Sequence, residues 1–151
     1  MLATDVMTRD LITVGPKATV REAMNLIREH RFHDIPVVGP DGKLMGVITA
    51  HSILRTALPA YISEDLVGAM RGMPDMPSIY EHLDQIAHMP VIDLMDRHII
   101  IVRPDMPTSA VAAMLVHLKN DTHNVMVADA DGKLLGSIAC ADIFFRMPHN
   151  S

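Results

Sequence analysis

Apolar residues recur along this chain with two different periods. Val20, Ala23, Met24 and Ile27 repeat at three- and four-residue steps, the spacing of one helix face. Ahead of them, Thr19-Val20-Arg21-Glu22 has capping-box spacing, so a helix is predicted from Val20 to near His30. Ile12-Thr13-Val14, closed by Gly15-Pro16, is a short β-prone run, and Ile35-Pro36-Val37-Val38 reads as a buried strand with Pro near its start. Gly39-Pro40-Asp41-Gly42 is a turn, and its Asp-Gly step favours a hairpin returning through Leu44 to Ile48. Thr49 suits the N-cap of a short helix through Leu54.

The same succession returns downstream. Ile99 to Val102 predicts a strand, and Thr108 or Ser109 caps a helix to about Leu118, with Val111, Met114 and Leu115 inward. Asn124 to Ala128 and Leu134 to Ile138 predict strands around the Ala130-Asp131-Gly132 turn, with a last helix from about Cys140 to Arg146. The echo extends to identities. PDGKLMGVIT at 40–49 returns as ADGKLLGSIA at 130–139, 90 residues on, whereas Asp5-Val6-Met7 returns as Asp93-Leu94-Met95, 88 on. The second copy therefore carries two extra residues, placed just after Pro104 because Pro16 and Pro104 keep the shorter offset. Duplicated units usually complete their core against each other. The expected fold is α+β: two strand–helix–strand–strand–helix repeats paired about a pseudo-two-fold axis, with chemistry in the clefts between them.

Residues 59–90 have no counterpart in the repeat. Ser63-Glu64-Asp65 reads as a helix start, Met73 to Pro77 as a break, and Pro77 to His88 as a short helix with Ile79, Leu83 and Ile86 on one face. So many apolar residues predict a helical insert packed on the pair, its Met-rich stretch from Met70 to Met76 offering a docking face to a helix or a second subunit. The expected division is 1–58, 59–90 and 91–151.

Composition narrows the function. With 49% hydrophobic residues the chain is not disordered, and with no Trp, 3% aromatics and 13 Met its core must be aliphatic and Met-rich. A net charge of −5 disfavours nucleic acid and anionic membrane as partners. The single Cys140 excludes an internal disulfide and any multi-Cys zinc site, and it suits a reducing, cytoplasmic location. No apolar run approaches the roughly 18 residues of a membrane span. His30 and His33 share a helical spacing and His82 and His88 lie in the insert, but without an HExxH run or a Cys partner they argue against a metal site. No P-loop, Rossmann loop or nucleophile–base pair is present, so catalysis is not expected.

The ordered set in the first half is Asp5-Val6-Met7, Thr19-Val20-Arg21-Glu22-Ala23, Asp34-Ile35-Pro36-Val37 and Gly46-Val47-Ile48-Thr49. It is followed in the second by Asp93-Leu94-Met95, Asn124-Val125-Met126-Val127 and Gly136-Ser137-Ile138 through Asp142. Together these resemble the CBS domain, named after cystathionine β-synthase, over about residues 3–58 and 91–147. It is the ordered set occurring twice that is specific. The resemblance implies a tandem pair, or Bateman module. Such pairs commonly dimerise into a flat disc and bind AMP, ADP, ATP or S-adenosylmethionine in clefts between motifs.

The family's Gly-hydrophobic-hydrophobic-Ser/Thr-x-x-Asp run places an Asp on both ribose hydroxyls and a hydroxyl residue near phosphate, at a helix N-terminus suited to anions. In the first copy of this chain Thr49 is present but Ser52 replaces the Asp; in the second, Asp142 is present but Ala139 replaces the hydroxyl. A charged hydrogen-bonding group outweighs a neutral one, so the Asp142 cleft is expected to be the better ribose site. The adenine is expected against Thr13, Ile35 and Pro36 in one half, and Ile100, Val125 and Met126 in the other. His33 and His123 match positions that reach phosphate, whereas Asp34 puts a negative charge there and disfavours a triphosphate. The resulting expectation is a stand-alone regulatory pair, not an enzyme, that senses an adenosine-containing ligand, forms a homodimer and signals to an effector protein. The alternative is a ligand-free dimerisation scaffold with degenerate sites.

Overall fold

The computed structural model describes residues 1–58, 76–118 and 123–148; the expected helix start at Ser63-Glu64-Asp65 and the Met-rich stretch from Met70 to Met76, except the backbone of Met76 itself, lie outside them. A one-turn helix α1 (Ala3–Val6) leads into α2 (Val20–His30), the hairpin β1 (Asp34–Val38) and β2 (Leu44–Thr49), and α3 (Ala50–Ala57). Helix α4 (Met76–Ile86) and a 3₁₀ turn (Val91–Asp93) precede β3 (Ile101–Val102), α5 (Thr108–Val116), β4 (Val125–Ala128), β5 (Leu134–Ile138) and α6 (Cys140–Phe145).

Local chemistry explains the boundaries. Thr19 Oγ1 accepts from the Glu22 N–H at 3.2 Å, capping α2. The N–H groups of Val20 and Arg21 go to the carbonyls of Met89 and Ala87 at 2.8 and 2.9 Å, so the end of the insert closes the start of this helix. Arg31 ends α2 in the left-handed region at φ 56°, a place more often held by Gly or Asn. Helix α3 runs three residues past the expected Leu54. Helix α5 starts at Thr108 itself behind Pro107, so neither Thr108 nor Ser109 is its cap: proline pre-sets the entry instead.

The expected strand at Ile12–Val14 shrinks to one parallel bridge, Val14 to Val37. Val14 N–H donates to the Pro36 carbonyl and Val38 N–H to the Val14 carbonyl, at 3.0 and 2.9 Å. The next rung would need an N–H from Pro36, which has none. In the second half Met126 stands at the equivalent place, and its N–H donates to the Ile100 carbonyl at 3.0 Å. There the ladder continues, with β3 parallel to β4 and β4 antiparallel to β5, whereas β1 and β2 form a two-stranded sheet.

The two halves exchange their leading segments. Ala3, Val6 and Met7 are buried with Val102, Val111, Leu115, Val125, Val127 and Ile138 of the second half. Reciprocally, Val91 and Met95 are buried with Val20, Ala23, Ile35, Val37, Ile48 and Ile53 of the first. Paired backbone bonds fix each exchange. Thr8 and Ser137 trade N–H groups and carbonyls at 2.8 and 3.0 Å, and Asp96 and Val47 do the same at 2.8 and 2.9 Å. Both sites need glycine next door. A Cβ on Gly136 would lie 2.7 Å from the Thr8 carbonyl oxygen and 2.9 Å from Met7 Sδ; one on Gly46 would lie 2.8 Å from both the Asp96 oxygen and Met95 Sδ. The two Asp-Gly-Lys turns also meet, with Leu44 N–H on the Gly132 carbonyl and Leu134 N–H on that of Gly42, both at 3.1 Å. Ile79 of α4 is buried, and Leu83 and Ile86 pack on the first-half core, as their common face predicts.

Candidate functional site

A cavity of about 230 Å³ opens between the two halves. It lies at or just under the lower end of the roughly 300–1,000 Å³ usual for ligand pockets. The segment after α1 contributes Thr8, Asp10, Leu11 and Ile12, the start of the first hairpin contributes Phe32, Asp34 and Pro36, and the second half contributes Asn124, Met126, Ser137, Ala139 and Asp142.

Strand alternation decides which predicted residues reach it. Pro36 and Met126 face the cavity; their neighbours Ile35 and Val125 point the other way and are fully buried, one in each core. Ile100 packs against the second-half core. The side chains of Ile35, Val125 and Ile100 are thus core, not wall. Thr13 lies instead beside the Asp-Gly-Lys turns, in a separate depression with Arg9, Gly42 and Leu135, and Ile12 takes the expected wall position.

Asp142 is half-buried at the cavity wall. Its Oδ2 accepts the Ala139 N–H at 2.7 Å, tying back the start of α6 where no side-chain cap exists. Its Oδ1 accepts the Thr8 hydroxyl at 2.8 Å, a bond that crosses from one half to the other. Two of about four lone-pair directions are thereby used, and two remain for donors from a ligand. Ala139 lines the cavity without a hydroxyl. In the first half the equivalent pair closes on itself. Thr49 Oγ1 accepts the Ser52 N–H at 2.9 Å, while Ser52 Oγ donates to the Thr49 carbonyl at 2.9 Å and accepts the Thr49 N–H at 3.3 Å. Thr49 is only 1% exposed, and neither residue lines the 230 Å³ cavity.

His33 and His123 come together, their rings 5.6 Å apart and inclined at 32°. His123 also faces Asp34: its backbone N–H donates to Asp34 Oδ2 at 2.8 Å, and its Nδ1 stands 3.9 Å from Oδ1. The predicted phosphate-reaching pair is thus packed on itself and on a carboxylate. Thr8, Asp10, Phe32, Asn124 and Ser137 were not foreseen. Thr8 and Asp10 follow directly on the Asp-Val-Met echo, and Asn124 stands 90 residues after Asp34, so the repeat carried a signal for them. Among the described residues no three His, Cys, Asp or Glu side chains are grouped to hold a metal ion. No helix among them is long and apolar enough to cross a membrane.

A family model for the CBS domain matches residues 3–58 and 81–149. The uncharacterized protein MJ1426 of Methanocaldococcus jannaschii is 26% identical over 154 residues, covering 95% of this chain and 89% of its own length. Among solved structures, CBSX2 of Arabidopsis thaliana in complex with AMP superposes with a TM-score of 0.71 at 23% identity, covering 95% of this chain and 93% of that one. The CBS domain pair of protein MJ0100, in complex with 5′-methylthioadenosine and S-adenosyl-L-methionine, superposes with a TM-score of 0.64 at 22% identity, covering 96% and 94%. At these identities the likeness to the solved structures establishes the fold.

Proposed function

The chain belongs to the CBS-domain family, and from that membership we propose that it is a stand-alone regulatory pair, not an enzyme, that binds an adenosine-containing ligand between its halves. The observation that carries this reading is the shared cavity with Asp142 on its wall, fed by both halves. AMP, 5′-methylthioadenosine and S-adenosylmethionine are bound by relatives of the same fold. A ligand there would touch Thr8 and Asp142 together, and so would favour whichever tilt of the halves suits it best. The altered tilt would be read by an effector protein or by a second copy of the chain. Among the predicted residues, Pro36, Met126 and Asp142 line the cavity, and in this reading they would meet the ligand directly. Ile35, Ile100, Val125, His33 and His123 would act from behind or beside the wall, whereas Thr13, Thr49 and Ser52 lie outside this cavity.

The test is a calorimetric titration of wild type and Asp142→Ala with AMP and with S-adenosylmethionine. Loss of two charge-assisted bonds should weaken binding about tenfold or more, equivalent to ~1.4 kcal/mol. Because Asp142 also ties α6, Asp142→Asn, which keeps an acceptor, should retain more affinity and a native circular dichroism spectrum. A wild type that binds neither ligand at millimolar concentration would reject the sensor. One observation favours the second reading, a ligand-free dimerisation scaffold: Thr49 and Ser52 satisfy each other completely enough to stand as a cap without any ligand.

A further inference from the structure

The two crossings of the chain are built alike but are not bonded alike. Thr8 and Asp96 stand at echoed places, 88 residues apart. Each pairs its backbone with the facing strand, Thr8 with Ser137 and Asp96 with Val47. In the helices that follow those strands stand Asp142 and Ser52, 90 residues apart. At one crossing the side chains bond locally: Asp96 Oδ1 accepts the His98 N–H at 2.8 Å, and the Ser52 hydroxyl donates to the Thr49 carbonyl at 2.9 Å. At the other, the Thr8 hydroxyl reaches across to Asp142 Oδ1 at 2.8 Å. Paired backbone bonds thus hold a crossing without such a side-chain bond. Where the bond does occur, both of its residues line the 230 Å³ cavity.

This bond fixes what a singly held carboxylate leaves open. Tied only by the Ala139 N–H on Oδ2, the Asp142 carboxylate could still turn about its last torsion, which is broad for Asp. With Thr8 on Oδ1 as well, both oxygens are anchored. Of about four lone-pair directions two remain for a ligand. Thr8 is itself well placed to act as an anchor. Its N–H and carbonyl are both bonded to Ser137, at 2.8 and 3.0 Å, and its branched side chain has few χ1 choices.

We propose that Thr8 is a positioning residue for ribose: its hydroxyl holds the Asp142 carboxylate so that the remaining lone pairs accept the 2′- and 3′-hydroxyls of a bound adenosyl compound. The inference rests on reading this cavity as an adenosyl site with Asp142 on the ribose. A cis-diol offers two donors at a fixed separation, and a carboxylate already oriented meets both without giving up torsional freedom on binding. Thr8 belongs to one half and Asp142 to the other, so recognition of the sugar depends on the halves staying in register. By reciprocity, a bound ribose favours the tilt that keeps the two residues together.

The test is a calorimetric titration of wild type, Thr8→Val, Thr8→Ser and Asp142→Ala with AMP and with 2′,3′-dideoxy-AMP. The same pair made from 5′-methylthioadenosine replaces them if AMP does not bind. Wild type should prefer the diol by about tenfold or more. Thr8→Val keeps the shape and loses the hydroxyl; it should weaken the diol ligand by about three- to tenfold and leave the dideoxy ligand within about twofold. Thr8→Ser should restore the preference. In the Asp142→Ala background, Thr8→Val should change affinity by less than about twofold, because the hydroxyl then has nothing to position. Thr8 is exposed and lies in extended pairing, where Val is well tolerated, and Thr8→Ala serves in its place if the Val variant melts early. Equal weakening of both ligands by Thr8→Val would overturn the positioning role while leaving the adenosyl site standing. So would an undiminished loss in the Asp142→Ala background, or a wild type that does not distinguish diol from dideoxy ligand. A wild type that binds neither AMP nor 5′-methylthioadenosine would overturn this inference; were S-adenosylmethionine to fail as well, the adenosyl site would fall with it.

Discussion

At the scale of single residues, two glycines hold the molecule together by having no side chain. Gly46 and Gly136 admit a backbone carbonyl and a Met sulfur from the other half at distances a Cβ could not tolerate. Gly136→Ala should therefore destabilise by about 1–3 kcal/mol or more, since neither the Thr8 carbonyl nor the Met7 side chain buried beside it has room to retreat. Gly15 is the control, because a Cβ there would meet nothing within 4 Å. Gly15→Ala should stay within about 0.5 kcal/mol of wild type. Urea denaturation of the three proteins checks both. The sequence announced these glycines through the GVIT and GSIA echo, but not their reason, because the partners lie 50 and 128 positions away. Side-chain direction was harder to read. Ile35 and Pro36 are neighbours on one strand, and only the pairing of that strand shows that one is core and the other cavity wall.

At the scale of elements, most boundaries were legible because they are set by local chemistry. Thr19 and Thr49 cap their helices through their own hydroxyls, as their spacing suggests. Thr49→Ala should cost about 1–2 kcal/mol, since the side chain is buried as well as bonded. Helix α6 lacks that hydroxyl, its cap being Ala139. Ala139→Ser should supply it and raise stability by up to ~1 kcal/mol, seen as a higher melting temperature for the variant. What local chemistry could not reveal was the loss of the first strand. Ile12-Thr13-Val14 has strand composition, but its partner Pro36 lacks the N–H that a second rung requires. The equivalent Met126 has one, and the second sheet gains its third strand. One substitution between the repeats thus separates two sheets of otherwise matching plan.

At the scale of the whole molecule, the exchange of leading segments couples the halves. Neither core is complete without residues from the other. Heat should therefore unfold the protein in one transition, with calorimetric and van't Hoff enthalpies equal, despite its two-repeat sequence. Two resolved transitions would contradict this. The repeat was visible in the sequence, but not that the segments cross over, because the spacing of apolar residues does not say which of two like partners a segment reaches. The same symmetry exposes an imbalance. Helix α3 rests against α4 and buries Ile53 and Ala57, whereas its counterpart α6 buries none of its residues and leaves Phe145 81% exposed. Phe144 and Met147, its neighbours in sequence, are exposed too, as is Val116 of α5. We propose that the chain forms a homodimer and that a second copy covers this surface. Phe144→Ser/Phe145→Ser should halve the mass measured by light scattering without lowering the melting temperature of the fold. An unchanged mass would place the dimer contact elsewhere or show the protein to be monomeric.

The crossing of Ala3–Thr8 onto the second half also speaks to how such a chain could arise. A single repeat would carry its own leading segment, together with an empty groove shaped for one. Folded back on itself the segment has no demonstrated place, but two separate copies could satisfy each other by trading arms. Physically, then, the smallest self-sufficient ancestor of this architecture is a pair of half-length chains embracing as a symmetric couple. Joining them end to end would convert an encounter that depends on concentration into one that does not. It would also free the two halves to diverge, leaving one to keep Asp142 and the other Thr49.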